Sequence, residues 1–251
     1  MMISLFAGKA VSLPTQNKHT MDYAIIAAGE GSRLVQEGMK TPKPLLRLHG
    51  VPLIDRLIHL FLRHHATSIS IIVNEEMTDV QAHLKALSLP VPFHLLVQST
   101  PSSMHSFHAL SRFLTGDRFC LTTVDTIFQE DEFTQYIRTF EQTSTLDGLM
   151  AVTSFVDDEK PLYVKTDDDY MIQAFLDATD EPCRYVSGGI YCLRNTVLPA
   201  LDQAMEQGIS RMRNYQRLLV SEGLHLKAYP FHKIIDIDHI SDLAKAETFL
   251  A

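Results

Sequence analysis

Between Tyr23 and Leu46 the chain reads YAIIAAGEGSRLVQEGMKTPKPLL, and three features of that stretch could handle phosphate. Gly29 and Gly31 bracket Glu30 at the end of an apolar run, where glycine leaves backbone N–H groups room to approach an anion closely. Arg33 adds a planar fork that matches phosphate oxygens in pairs. Lys43 stands between Pro42 and Pro44, whose rings restrict the backbone around one compact positive charge. Two glycines alone say little, and a G-x-G-x-x-G is absent because position 34 is leucine. The conjunction of a strand end, G-x-G-x-R and P-K-P is the specific signal. A second glycine-lysine pair, in AGKA at Ala7–Ala10, lacks the earlier glycine and the following hydroxyl that a P-loop needs.

Carboxylates at the ends of other apolar runs could bind a hard cation. Asp125 closes DRFCLTTVD, and Asp236 and Asp238 lie two apart in IIDIDHISDL, on the same side of an extended segment. The acidic runs at 157–159 and 167–169 read as solvated turns. The twelve histidines, the His105/His108 pair among them, complete no ligand set with a third residue.

Such residues need a scaffold. The 251 residues are 45% hydrophobic and 21% charged, the balance of a soluble globular protein with a full core. A net charge of −8 argues against general binding to nucleic acid or anionic membranes. No apolar run approaches the ~18 residues of a membrane span. Cys120, Cys183 and Cys192 fit neither a disulfide framework nor a zinc pattern, so a reduced, cytoplasmic setting is expected. Residues 1–20 read as an N-terminal extension. Strands at 22–28, 68–74, 92–98 and 117–125 alternate with helices at 51–65, 75–87, 103–114 and 131–143, the rhythm of βαβ units around a parallel sheet. After about residue 147 strands at 146–155, 161–166, 170–176 and 184–194 follow one another, which predicts an antiparallel portion. Helices at 195–206, 211–222 and 239–250 and strands at 226–231 and 234–238 complete the chain. Residues 21–251 are therefore expected to form one domain, a nucleotide-binding half over 21–147 and an acceptor-binding half over 148–251.

AAGEGSRL with TPKPLLRLHGVPLIDRLI resembles the nucleotidyltransferase superfamily that includes the sugar-1-phosphate nucleotidylyltransferases. The likeness is specific over residues 22–75 and looser through VDTIF to DIDHISDL. It implies a three-layer Rossmann-like α/β fold and transfer of a nucleotidyl group from a nucleoside triphosphate to a phosphorylated small molecule, with pyrophosphate released. A sugar 1-phosphate is the first expectation. A phosphocholine-like or polyol-phosphate cytidylyltransferase and a non-catalytic subunit on the same fold are the alternatives. The resemblance places Ala27, Ala28, Gly29, Glu30, Gly31, Ser32 and Arg33 on the nucleotide, with Arg33 at the β- and γ-phosphates and Lys43 near the α-phosphorus. It places Mg²⁺ on Asp125 and on Asp236 or Asp238, between which the sequence does not choose. Gln98 stands where the family reads the base, and Ser103 and Ser106 could cap a helix or touch the nucleotide. Gly188 and Gly189 in VSGGIYCL match a strand close to the acceptor, with a β-bulge as the other reading, and Lys165 and Arg184 could meet the acceptor phosphate. The base stays open among U, dT, C and G, and a homo-oligomer is possible.

Overall fold

The computed structural model describes residues 21–157, 159–179 and 183–251; the extension expected over 1–20 and Asp158 of the first acidic run lie outside them. The elements are β1 (Met21–Ala27), α1 (Ser32–Gln36), β2 (Arg47–Leu48), β3 (Val51–Pro52), α2 (Leu53–Arg63), β4 (Ala66–Val73), α3 (Thr78–Lys85), β5 (Phe93–Val97), α4 (Ser103–Ser111), β6 (Arg118–Thr123), β7 (Thr126–Ile127), α5 (Glu130–Gln142), β8 (Gly148–Thr153), β9 (Tyr163–Thr166), β10 (Ile172–Leu176), β11 (Tyr185–Arg194), α6 (Leu198–Glu206), α7 (Met212–Ser221), β12 (Leu226–Phe231), β13 (Ile235–Asp236) and α8 (Ile240–Leu250).

One nine-stranded sheet takes strands from both halves of the chain. β5, β4, β1 and β6 are mutually parallel neighbours, so their carboxyl ends share one edge of the molecule. β11 turns the sheet antiparallel against β6 and also pairs with β8 and β9. Side chains alternate across β1: Tyr23, Ile25 and Ala27 join one apolar cluster, Ala24 and Ile26 the other. The first cluster is closed by α2, α3, α5 and α8, the second by α4, α6 and α7, which gives the three-layer α/β arrangement. In α2, Leu53, Ile54, Leu57, Ile58, Leu60 and Phe61 recur at helical spacing and are all buried.

Three local departures from the sequence expectation matter for the site. Pro52 caps α2 from a two-residue hairpin with β2 instead of opening its first turn. The SRLVQ segment after the glycines forms the short helix α1, which the strand–helix pattern did not include. Asp125 lies in a turn just past β6, and that turn leads into β7, which among the described residues pairs with β13. Residues 167–169 do form a turn, with Asp167 Oδ1 accepting from the amides of Asp169 and Met171. Among the described residues no helix is long and apolar enough to cross a membrane.

Candidate active site

At the carboxyl end of β1 the chain must reverse into α1. Gly31 does this with φ +62°, and a Cβ there would lie 3.7 Å from both Cβ and Cε of Lys43. Lys43 therefore packs across the glycine turn, held by the single 3₁₀ turn that starts between the two prolines. Gly29 has no protein atom within 4 Å of where its Cβ would be, so the loop leaves open space there.

The β7–β13 pair brings two distant segments to that lysine. Ile237 donates its amide to the Asp125 carbonyl, and Asp236 is paired with Thr126. Lys43 Nζ donates to Asp125 Oδ2 at 2.7 Å and to Asp238 Oδ1 at 3.0 Å. Two carboxylates over a hundred residues apart in sequence thus share one ammonium, and their oxygens can be no farther apart than those two bonds laid end to end. Burial works to lower the Lys43 pKa, but the charges and hydrogen bonds of Asp125 and Asp238 outweigh it and hold the ammonium above its usual range. Asp236 faces the same point with its carboxyl pushed up to about 8, by burial first and then by the charges of Asp125 and Asp238. The residue is nonetheless exposed to the cleft, and water there weakens the burial effect. The neighbouring carboxylates are the firmer cause.

Two cavities meet at this cluster. One, of about 630 Å³, is lined by Ala28, Gly29, Glu30, Gly31, Ser32, Lys43 and Asp125, and on its far wall by Asn74 and the segment Ser99–Ser103 with Ser106. The other, of about 240 Å³, is lined by Arg33, Phe155, Gly188, Asp236 and Asp238, and by residues of α8. Lys43 joins a carboxylate of the first lining to one of the second.

The remaining sequence candidates are distributed as follows. Ala27 is buried in the core beneath the loop. Ser103 lines the larger cavity as the first residue of α4 and does not cap it; Ser102 holds the cap position, without a side-chain cap bond. Ser106 is buried and shares a 2.6 Å hydroxyl contact with Thr100. Gln98 is exposed, lines neither cavity, and donates its amide to the Val73 carbonyl. The glycine pair sits at an irregularity of the strand, the other reading given for it. The β11–β8 register shifts between Ser187 and Tyr191, and Gly188 lines the smaller cavity. Gly189, with φ +74°, packs instead against Thr126 next to the Asp125 turn. Lys165 on β9 and Arg184, stacked 5.2 Å over Tyr185, line neither cavity.

Arg33 departs most from expectation. Arg33 lines the smaller cavity, bound to Asp238 at 2.7 Å and to Glu159 at 3.7 Å. Asp157 binds Lys245 at 2.8 Å. Both described carboxylates of the first acidic run are solvated, as read, and they also stand on the wall of the smaller cavity. Sequence reasoning also missed Asn74, whose Oδ1 accepts from the Glu76 amide and the Ser99 hydroxyl. No local pattern marks that asparagine.

Among the described residues no three His, Cys, Asp or Glu side chains are arranged to hold a metal ion unaided. The donors present still suit magnesium, which takes one or two carboxylates and fills its shell with water and substrate phosphate oxygens. Asp125 and Asp238 already converge on a cation, the ammonium of Lys43.

Residues 23–251 match the family model described as nucleotidyl transferase. A curated relative, the bifunctional protein GlmU of Methanococcus maripaludis, is 24% identical over 83% of this chain, and the match spans 50% of that protein's length. Among solved structures, an inositol-1-phosphate CTP transferase from T. maritima superposes with a TM-score of 0.74 at 18% identity, covering 92% of this chain and 98% of its own. A putative glucose-1-phosphate thymidylyltransferase from Bacillus anthracis, in complex with a sucrose, gives 0.79 at 22% identity, with 91% and 94% covered.

Proposed function

The chain belongs to the nucleotidyl transferase family, and we propose that its cleft moves a nucleotidyl group from a nucleoside triphosphate to a phosphorylated small molecule, a sugar 1-phosphate before others. The observation that carries this reading is Lys43, held between Asp125 and Asp238 where two cavities meet. In the proposal the larger cavity takes the triphosphate over the Gly29–Ser32 loop and the smaller one takes the acceptor. An acceptor phosphate oxygen attacks the α-phosphorus in line, and pyrophosphate leaves from the opposite side. Both reactants are anions, and unit charges 4 Å apart repel by about 4 kcal/mol at a protein surface, so cations must intervene.

Lys43 supplies one, donating from Nζ to the α-phosphate oxygen on which charge builds. Backbone amides of the glycine loop hold the phosphates to be released. Arg33 is exposed enough to reach them, but only by leaving Asp238 and Glu159. Asp125 and Asp238 would hold Mg²⁺, with Asp236 beside them; when bound, the ion neutralises phosphate charge and polarises a phosphate oxygen. A polyol phosphate is within range as acceptor, since the inositol-1-phosphate CTP transferase shares the fold. A phosphorylated acceptor with a cationic group, such as phosphocholine, is the second reading. Among the described residues, five carboxylates line the smaller cavity (Asp157, Glu159, Asp236, Asp238 and Asp242), against the cations of Arg33 and Lys245.

The test is a matrix of nucleoside triphosphates against sugar 1-phosphates, polyol phosphates and phosphocholine, read as pyrophosphate release with Mg²⁺. Turnover confined to one triphosphate with a sugar 1-phosphate fits the first reading. Turnover with phosphocholine alone selects the second. Binding of triphosphate with no release in any combination overturns the catalytic proposal.

A further inference from the structure

Asp238 is held from behind by Glu37 and by Asp242, which itself lines the smaller cavity. Asp242, only 5% exposed, accepts the amides of Asp238 at 3.1 Å and His239 at 2.8 Å on Oδ2. Glu37, just after α1, accepts the next amide, Ile240, at 2.8 Å, and its other oxygen meets the His239 ring. Three successive amides at the start of α8 are thus tied to carboxylates, which fixes the backbone from which the Asp238 side chain reaches Lys43. A helix cap alone would need nothing more. Here, however, Asp242 Oδ1 also takes a hydrogen bond from Lys245 Nζ at 3.0 Å, and the same Nζ reaches Asp157 at 2.8 Å. The segment that carries Asp157 also carries Glu159, which pairs with Arg33 on the other side of Asp238. The wall of the smaller cavity is therefore bridged to the Asp238 segment twice, through Lys245–Asp242 and through Arg33.

We infer that Asp242 and Lys245 are positioning residues: Asp242 sets where Asp238 points, and Lys245 couples that setting to the cavity wall at Asp157, so that acceptor binding and the aim of Asp238 are linked. The inference rests on the proposed function for its kinetic part only. An acceptor phosphate entering the cavity competes with Asp157 for Lys245 and with Glu159 for Arg33. Asp242 keeps Asp238 in place while that exchange occurs.

The experiment compares Asp242→Asn, Lys245→Met and Lys245→Arg with the unaltered full chain. Lys245→Met should raise the acceptor KM about tenfold while leaving the triphosphate KM within about twofold, and Lys245→Arg should restore most of it. Asp242→Asn should lower kcat by about 10–100-fold, the usual cost of losing a group that orients a metal-binding side chain, with both KM values little changed. Amide hydrogen exchange, which needs no substrate, should speed up at residues 237–240 in Asp242→Asn and in the peptide carrying Asp157 in Lys245→Met. If Lys245→Met shifts both KM values equally, or Lys245→Arg fails to rescue it, the coupling is wrong. If exchange at the Asp157 peptide is unchanged, it is wrong whatever the kinetics. Accelerated exchange in a protein that turns over no substrate pair would sink the proposed function and leave the positioning role standing.

Discussion

The two cavities that flank Lys43 are built from different materials. Apart from Glu30, Glu76 and the Lys43–Asp125 pair, the larger is made mostly of backbone and small polar side chains: the αL turn at Gly31, Asn74, and the serines and threonine between β5 and α4. The smaller is made of ion pairs: Arg33 with Asp238 and Glu159, and Lys245 with Asp157 and Asp242. A wall of backbone is hard to re-cut, because a substitution changes the side chain and leaves the amides in place. A wall of paired side chains is re-cut by one substitution, and its net charge changes with it. The contrast suits a shared triphosphate donor and a variable acceptor. It also implies that damage on the two sides reads out differently.

The largest effect is expected at the junction. Lys43→Ala should lower turnover by about 100-fold or more with the fold intact, the scale of one preorganised charge on a developing oxyanion. Steady-state kinetics and a melting curve check both parts, and near-normal turnover would remove Lys43 from the chemistry. Next come the two aspartates of β13 and the turn after it. Asp238 shares Lys43 with Asp125, whereas Asp236 lies against Thr126. Asp238→Asn should therefore cost at least about tenfold more turnover than Asp236→Asn. Equal losses would mean that the structure does not separate their roles.

A smaller effect is expected on the acceptor wall. A Cβ on Gly188 would lie 2.3 Å from Ile234 Cδ1 and 3.2 Å from the Ala151 carbonyl oxygen. Gly188→Ala should cost about 1–3 kcal/mol of stability through overpacking and raise the acceptor KM more than the triphosphate KM. A thermal melt with the two KM values decides it, and a selective rise in the triphosphate KM would reverse the assignment of the cavities. The smallest effect is expected at Gln98. It lines neither cavity, so Gln98→Ala should change triphosphate selectivity by no more than about twofold, as for most exposed sites. A larger loss of base discrimination would return Gln98 to the nucleotide.

The backbone-built side was legible in the sequence because its parts are local. Gly29, Gly31, Ser32 and Lys43 lie within fifteen residues, and the glycine turn and the proline-bracketed lysine each advertise their geometry. Parallel alternation then located Asp125 at the correct strand end to within a residue or two. The ion-paired side was legible only in part. Glu159 is indistinguishable from a solvated turn residue until α1 and α8 bring Arg33 and Lys245 to its segment. Likewise, nothing around Asn74 forecasts its contact with Ser99, because that pairing exists only once β4 and β5 lie side by side. Arg33 was expected over the triphosphate and lines the smaller cavity instead. The direction it takes, toward Asp238, depends on a residue 205 positions away. A two-residue bridge such as β7–β13 is too short to leave a periodic signal, although it fixes the distance between Asp125 and Asp238.

The most direct test of the central claim, that Asp125 and Asp238 form one cation site at the junction of the cavities, is a crystal structure with Mn²⁺ and a non-hydrolysable triphosphate, read by anomalous scattering. The account predicts a single anomalous peak bonded at about 2.0–2.6 Å to carboxylate oxygens of both residues, with Lys43 Nζ shifted from the carboxylates onto a phosphate oxygen. A peak bound to neither aspartate, or Lys43 still bridging the two while the triphosphate is in place, would contradict it.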